Sequence, residues 1–308
     1  MKLSCIGCSF VDCMGRPTAG HFDPRGRNVG KVDFVHGGVG RNIAEDLRNA
    51  GAEVAFLSSV DDGPLGTAVL AHLRDIGMDT SCVVSGPGGM GVWLVVMDDR
   101  GDLCASISQQ LDFSLIESSL TENGDRFMAD CDALVMETDI TDRVFCDSLD
   151  LAVRHQKHVY AATSNMEILL RHRDRMKDLF CFVCNEVEAG RLFNLPLENL
   201  SNKEILRAVK TPAARLGTEV FIITTGKNGA VWMDFRTGED GERAPFPAIV
   251  RDTSGAGDSF FSGVVYALEN GGSVRSAVDM GSVFAARTIE HIGPARPDLG
   301  KYILEVKK

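Results

Sequence analysis

Short apolar runs alternate with stretches of helical periodicity along most of the chain, and that rhythm restricts the fold more than any other feature. The run 53–60 is followed by a helical pattern over 65–76, 133–136 by one over 143–155, and 159–162 by a charged helical stretch reaching 177. The run 179–183 leads into a short helix, and a helix over 202–216 precedes a strand at 220–224. Runs that are apolar at every position suit strands covered on both faces, and strands joined through helices run parallel. The expectation is a three-layer α/β sandwich with a mainly parallel central sheet. A chain of 308 residues has room for one large domain or two smaller ones. Neither an internal repeat nor a low-complexity linker divides it, so residues 1–308 are read as one domain.

Two segments break the rhythm. Residues 14–36 are polar and rich in Gly, Pro and Arg, with short alternating pieces such as Lys31-Val32-Asp33-Phe34-Val35. Residues 92–97 and 103–108 flank Asp98-Asp99-Arg100-Gly101-Asp102, a hairpin signal. Together they predict a small β-sheet lid built from two insertions, 13–36 and 83–112. Within the second, Gly86-Pro87-Gly88-Gly89-Met90-Gly91 has the glycine spacing of a dinucleotide-binding loop. A strand follows it where that loop requires a helix, so it is read as a turn.

The formal net charge of -11 argues against a nucleic-acid partner, which needs a basic face. It leaves room for a small anion held by helix termini and metal ions. The start, Met1-Lys2-Leu3-Ser4-Cys5, lacks a signal-peptide pattern, and no apolar run is long enough to span a bilayer. A soluble, cytoplasmic protein without a membrane partner is expected. Nine cysteines, an odd number spread along the chain, argue against a disulfide framework. Cys5/Cys8 and Cys181/Cys184 have C-x-x-C spacing but fall at strand-like runs, where positions i and i+3 face opposite ways. Buried thiols are expected there rather than metal ligands.

In doubly wound sheets ligands gather at the carboxyl ends of strands, and polar outliers sit there in this chain. Gly255-Ala256-Gly257 opens an apolar helix, a turn whose free amides and helix dipole suit an anion. Asp258, in the first helical turn, is placed either to cap the helix or to act as base on a hydroxyl attacking that anion. Gly37-Gly38 allows close backbone approach to a ligand, Asn42 can bond vicinal hydroxyls, and Asp12 adds an acceptor. Asn185 and Glu188, three apart where a short helix begins, supply oxygens suited to Mg²⁺ through its waters. Glu137/Asp139 or a cysteine would serve a hydrolase, but no nucleophile-plus-base pattern accompanies them.

The order Gly7-x-x-x-x-Asp12, Gly37-Gly38-Val39-Gly40-Arg41-Asn42, Asn185-Glu186-Val187-Glu188, Thr224-Thr225-Gly226-x-x-Gly229 and Asp252-Thr253-Ser254-Gly255-Ala256-Gly257-Asp258 resembles the ribokinase (PfkB) family of carbohydrate and nucleoside kinases. The resemblance covers nearly the whole chain. It implies a three-layer core with a β-lid, ATP as donor, Mg²⁺ as cofactor and a homodimer joined through the lid. Asp258 would then be the base, and Gly255, Ala256 and Gly257 the anion hole. Asp12, Gly38 and Asn42 would hold the sugar, and Thr225, Gly226 and Gly229 would lie by the nucleotide with Asn185. Glu188 and Asn185 would organise Mg²⁺, and Asp252 would lie near a monovalent cation such as K⁺.

The substrate is less constrained. Gly-Gly-Val-Gly-Arg-Asn-Ile-Ala at 37–44 looks like the corresponding stretch of pseudouridine kinases, which adds Arg41 to the substrate side and makes pseudouridine the first choice. Ala162-Thr163-Ser164-Asn165 and the tail Gly293-Pro294-Ala295-Arg296-Pro297 depart from those kinases. Ribose, fructose or another nucleoside is the alternative, and a non-catalytic sugar-binding regulator on the same fold is a third reading.

Overall fold

The computed structural model describes residues 1–18, 22–100 and 102–307. Residues 19–21 of the first insertion and Gly101 of the expected hairpin lie outside the described residues. From the N-terminus the elements are β1 (Lys2–Ile6), β2 (Phe10–Pro17), β3 (Gly30–Gly37), α1 (Val39–Asn49), β4 (Glu53–Val60), α2 (Pro64–Asp75), β5 (Asp79–Ser85), β6 (Gly91–Met97) and β7 (Leu103–Gln109). There follow α3 (Ser114–Ala129), β8 (Ala133–Glu137), α4 (Asp142–Arg154), β9 (His158–Ala162), α5 (Met166–Arg171), a 3₁₀ segment at Arg173–Asp178, β10 (Cys181–Asn185) and α6 (Glu186–Phe193). The chain ends with α7 (Asn202–Ala214), β11 (Val220–Thr224), a 3₁₀ turn at Gly226–Asn228, β12 (Ala230–Asp234), β13 (Glu239–Arg243), α8 (Ala256–Glu269), α9 (Val274–Ile289) and a 3₁₀ stretch at Leu299–Lys307.

The larger sheet runs β13-β12-β11-β10-β9-β8-β1-β4-β5, parallel from β11 to β5 and antiparallel at the β12–β13 end. Its strands alternate between two apolar layers, as the pleat requires. Leu3 of β1 and Val220 and Ile222 of β11 join the core under α1, α2, α8 and α9. Ile6, Phe221 and Ile223 join the core under α3 to α7. The chain therefore has the ribokinase-like α/β sandwich. The same alternation separates the C-x-x-C pairs: Cys5 and Cys181 lie in one layer, Cys8 and Cys184 in the other. All nine thiols are free, and Cys104 on β7 is the exposed one.

Three elements differ from the expectation. Helix α3 fills a stretch given no element from sequence, because Ser119 and Gly124 interrupt its buried positions Ile116, Leu120 and Phe127 and blur the periodicity. Residues 83–85, assigned to the lid, belong to β5 and pair with β4 at the edge of the larger sheet. Strand β13, of sequence EDGER, has no apolar residue to signal it and is held by its pairing with β12.

The smaller sheet runs β3-β2-β6-β7. Its registers form two adjacent rows that point to opposite faces. One row is Val35, Asp12, Trp93 and Ser108; the next is Phe34, Cys13, Leu94 and Ile107. The first turns toward the end of the larger sheet, and the second turns outward. Among the described residues no helix is long and apolar enough to cross a membrane.

Candidate active site

Two helices aim their N-termini at the space between the sheets. Helices α1 and α8 both start after a glycine of positive φ, Gly38 at 94° and Gly255 at 72°, and neither has a side-chain cap. Both glycines are also forced by contact: a Cβ would lie 2.5 Å from the Cys8 carbonyl oxygen at Gly38 and 1.8 Å from that of Pro294 at Gly255. At the start of α8 the amide of Ala256 donates to Thr253, while no described group accepts from those of Gly257 and Asp258. A Cβ at Gly257 would meet nothing within 4 Å, so open space fronts these free donors. That is the geometry of an anion site.

The half-buried Asp258 carboxylate accepts from Asn42 Nδ2 at 2.7 Å, although the two are 216 positions apart in sequence. Burial pushes its pKa up to about 6, against the Asn42 hydrogen bond and the Arg41 charge, which lower it. Glu137 adds to the upward shift. A carboxyl with these neighbours is ionised at neutral pH and basic enough to take a proton from a hydroxyl. Capping is not its role, since the cap position is Gly255.

A cavity of about 330 Å³ is lined by Asn42, the hydrogen-bond partner of Asp258, with Asp12, Trp93, Ser108, Glu137 and Ser164. Gly38 lines it too. Burial raises the Asp12 carboxyl despite the Arg41 charge. A second, larger and mainly apolar cleft of about 600 Å³ is lined by Gly226, Gly229, Phe246, Val250, Gly257 and Ile289. Gly257 thus lines the cleft and Asn42 the smaller cavity, and Asp258 follows the first in sequence and accepts a hydrogen bond from the second.

Arg41 does not reach the substrate side as expected. Its side chain is 2% exposed and lies behind Asn42. Its guanidinium donates to the carbonyls of His36, at 2.7 Å, and Gly37, at 3.1 Å, and to Glu45 and the Asn42 carbonyl oxygen. The side chain of Thr225 is likewise turned away from the cleft, with Oγ1 2.9 Å from Asn202 Oδ1. Asn185 and Glu188 form a reciprocal cap on α6: Asn185 Oδ1 accepts from the Glu188 amide at 2.9 Å, and Glu188 Oε2 from the Asn185 amide at 2.7 Å. One Glu188 oxygen is left over, and burial raises that carboxyl. Among the described residues no three acidic, His or Cys side chains cluster as a direct metal shell. The pair thus fits contact with Mg²⁺ through its waters, not an inner shell. Asp252 Oδ1 accepts from Ser254 N at 2.9 Å and Oδ2 from Gly293 N at 3.1 Å. It ties the α8 entry loop to the segment after α9.

Residues 2–299 match the model of the pfkB family carbohydrate kinases. The chain belongs to this family. It is a phosphotransferase with an alcohol group as acceptor. Guanosine-inosine kinase of Exiguobacterium acetylicum is 32% identical over 290 residues, covering 94% of each chain. Pseudouridine kinase of Escherichia coli K12 is 25% identical over 238 residues, covering 77% of this chain and 74% of its own. The ribokinase of Arabidopsis thaliana, solved with ribose and ATP, superposes with a TM-score of 0.83 at 18% identity, covering 99% of this chain and 98% of its own. That of Giardia lamblia gives 0.83 at 17%, covering 97% and 98%.

Three residues of this pfkB kinase's smaller cavity escaped the sequence reading. Glu137 ends β8, is 1% exposed, and accepts from the amides of Cys8 at 2.9 Å and Asp139 at 2.6 Å and from the Ser164 hydroxyl. The signal was present, a lone carboxylate closing a fully apolar strand, but it was weighed only with Asp139 as a hydrolytic pair. Ser164 is brought in by that contact. Trp93 lies on a strand whose inward face follows from pairing with β2, which no local pattern reveals.

Proposed function

We propose that this pfkB kinase transfers the γ-phosphoryl group of ATP to the 5′-hydroxyl of a ribonucleoside. The observation that carries the reading is the 2.7 Å contact between Asp258 and Asn42, which joins the residue after Gly257 of the cleft to a residue lining the smaller cavity. Asp12, Gly38 and Asn42 hold the ribose, and the base lies against Trp93. ATP lies in the cleft beside Gly226, Gly229 and Phe246, with its γ-phosphate before the Gly257 and Asp258 amides. Asp258 takes the hydroxyl proton as the acceptor oxygen bonds to phosphorus and the bond to the β–γ bridging oxygen breaks, releasing ADP. Free amides aimed at the transferring group stabilise its charge. Glu188 and Asn185 would hold Mg²⁺ through its waters, and the ion would there supply positive charge against the phosphates. K⁺ beside Asp252 is part of the proposal, and closing the lid sheet excludes water.

A purine ribonucleoside is the first choice, because guanosine-inosine kinase is the more identical relative and matches over more of the chain. Pseudouridine is the second, supported by residues 37–44. We also propose a homodimer through the outward lid face, where Phe34 is 59% and Ile107 68% exposed. The test is an ADP-coupled assay with ATP and Mg²⁺ over guanosine, inosine, pseudouridine, ribose and fructose. Turnover fastest with guanosine or inosine is expected. Turnover of the free sugars alone overturns the nucleoside reading, and turnover of none overturns the kinase reading.

A further inference from the structure

The guanidinium of Arg41 is a buried, four-bonded cation outside the reacting set. It lies in α1 beside the junction of lid and core, and the four acceptors named above take four of its five N–H groups. Two of them, the His36 and Gly37 carbonyls, belong to the last residues of β3, where the lid strand enters α1. The third, Glu45, also receives His72 Nε2 at 3.0 Å, so the Arg41 charge is balanced from behind. The fourth, Asn42 Oδ1, belongs to the amide that touches Asp258.

A primary amide has one accepting end and one donating end, and a guanidinium offers only donors. The guanidinium therefore holds Oδ1 toward itself and turns Nδ2 toward Asp258. In the flipped orientation two sets of donors would face each other, and Oδ1 would face the carboxylate. We infer that Arg41 is a positioning residue: it locks the Asn42 amide so that Asp258 is met by a donor, and it fastens the end of lid strand β3 to that same amide. The inference rests on the reading of Asp258 as base.

A donor and a nearby positive charge both favour the ionised carboxylate. The charged groups facing Asp258 are Arg41 and Asp46 from α1 and Glu137 from β8. Arg41 is the one cation among these three. Asp46 is fully buried and receives the Ser259 hydroxyl, and burial raises its carboxyl well above the ordinary aspartate value. Arg41 thus keeps Asp258 in the form that accepts a proton, and it keeps lid and base in one hydrogen-bonded unit.

The test compares wild type, Arg41→Lys and the double variant Arg41→Met/Glu45→Gln, which removes both buried charges together because one left alone would be costly. The first readout needs no turnover: the ¹³C carboxyl titration of Asp258, assigned by its loss in Asp258→Asn. The wild-type midpoint near 6 is expected to rise by about one unit in the double variant and to stay within a few tenths in Arg41→Lys, which keeps the charge. The second readout is kinetic: kcat falls about tenfold in both, with KM for ATP within twofold, because neither locks the amide. Unmoved midpoint and kcat in both variants, with only a lowered Tm, overturn the inference and leave a structural arginine. Should the double variant not fold, an unchanged kcat in Arg41→Lys overturns it alone. A shifted midpoint in a protein that turns over no acceptor upholds the positioning and sinks the kinase reading instead.

Discussion

At Asp258 a single carboxyl combines burial with one strong donor, and in its proposed role as base its protonation would set when the site works. Its pKa of about 6 lies above the ordinary aspartate value, so the group is protonated, and idle as a base, below that point. The acid limb of kcat/KM is expected near pH 6, falling about tenfold per unit below it. Asp258→Asn keeps the shape and removes the base. Its kcat is expected to fall by about 10² to 10⁴, with ATP binding by calorimetry unchanged. A variant retaining a tenth or more of wild-type kcat sinks the assignment. The two glycines beside it separate folding from chemistry. Gly255→Ala meets the Pro294 carbonyl in a left-handed backbone and is expected to lower Tm together with activity. Gly257→Ala meets nothing in the protein, so Tm should hold while kcat drops, since the methyl enters the space before the free amides. An unaffected kcat there would mean that no phosphate approaches α8.

Among the elements, the lid strands are expected to carry substrate choice. Trp93 stands in the row that faces the cavity, beside Asp12, and an indole there offers a stacking surface to a base but little to a free sugar. Trp93→Ala is expected to raise KM for the nucleoside about tenfold while changing that for ribose less than twofold; equal effects on both would remove Trp93 from base recognition. The elements also show why legibility was uneven. Strands β4 and β11 are legible to the residue in the sequence, because an apolar run is a local signal. The contact of Asn42 with Asp258, the burial of Arg41 and the inward turn of Trp93 depend on segments that meet only after folding. Arg41 shows the limit: a charged residue beside a binding asparagine looks like a ligand contact until its burial is known. Asn185 and Glu188 show another, since a reciprocal helix cap and a metal-facing pair have the same spacing.

For the whole molecule, two faces of one small sheet serve different ends. The inward face completes a cavity, and the outward row of Phe34, Leu94 and Ile107 leaves large apolar side chains in water. Exposed apolar area of this kind is stabilised by a second copy. Ile107→Glu is expected to convert a dimer to a monomer in sedimentation and to weaken nucleoside affinity, because a lid without its partner holds Trp93 and Asp12 less firmly. A wild type that sediments as a monomer at micromolar concentration rules the interface out. The distribution of thiols offers a separate opportunity. Cys104 lies on β7, one of the two edge strands of the smaller sheet, and the other eight cysteines are buried or half-buried. A maleimide dye would therefore label that strand first, giving a fluorescent gauge of lid movement in the otherwise unmodified chain. The order in which acceptor and nucleotide change its signal would show which of them draws the lid down.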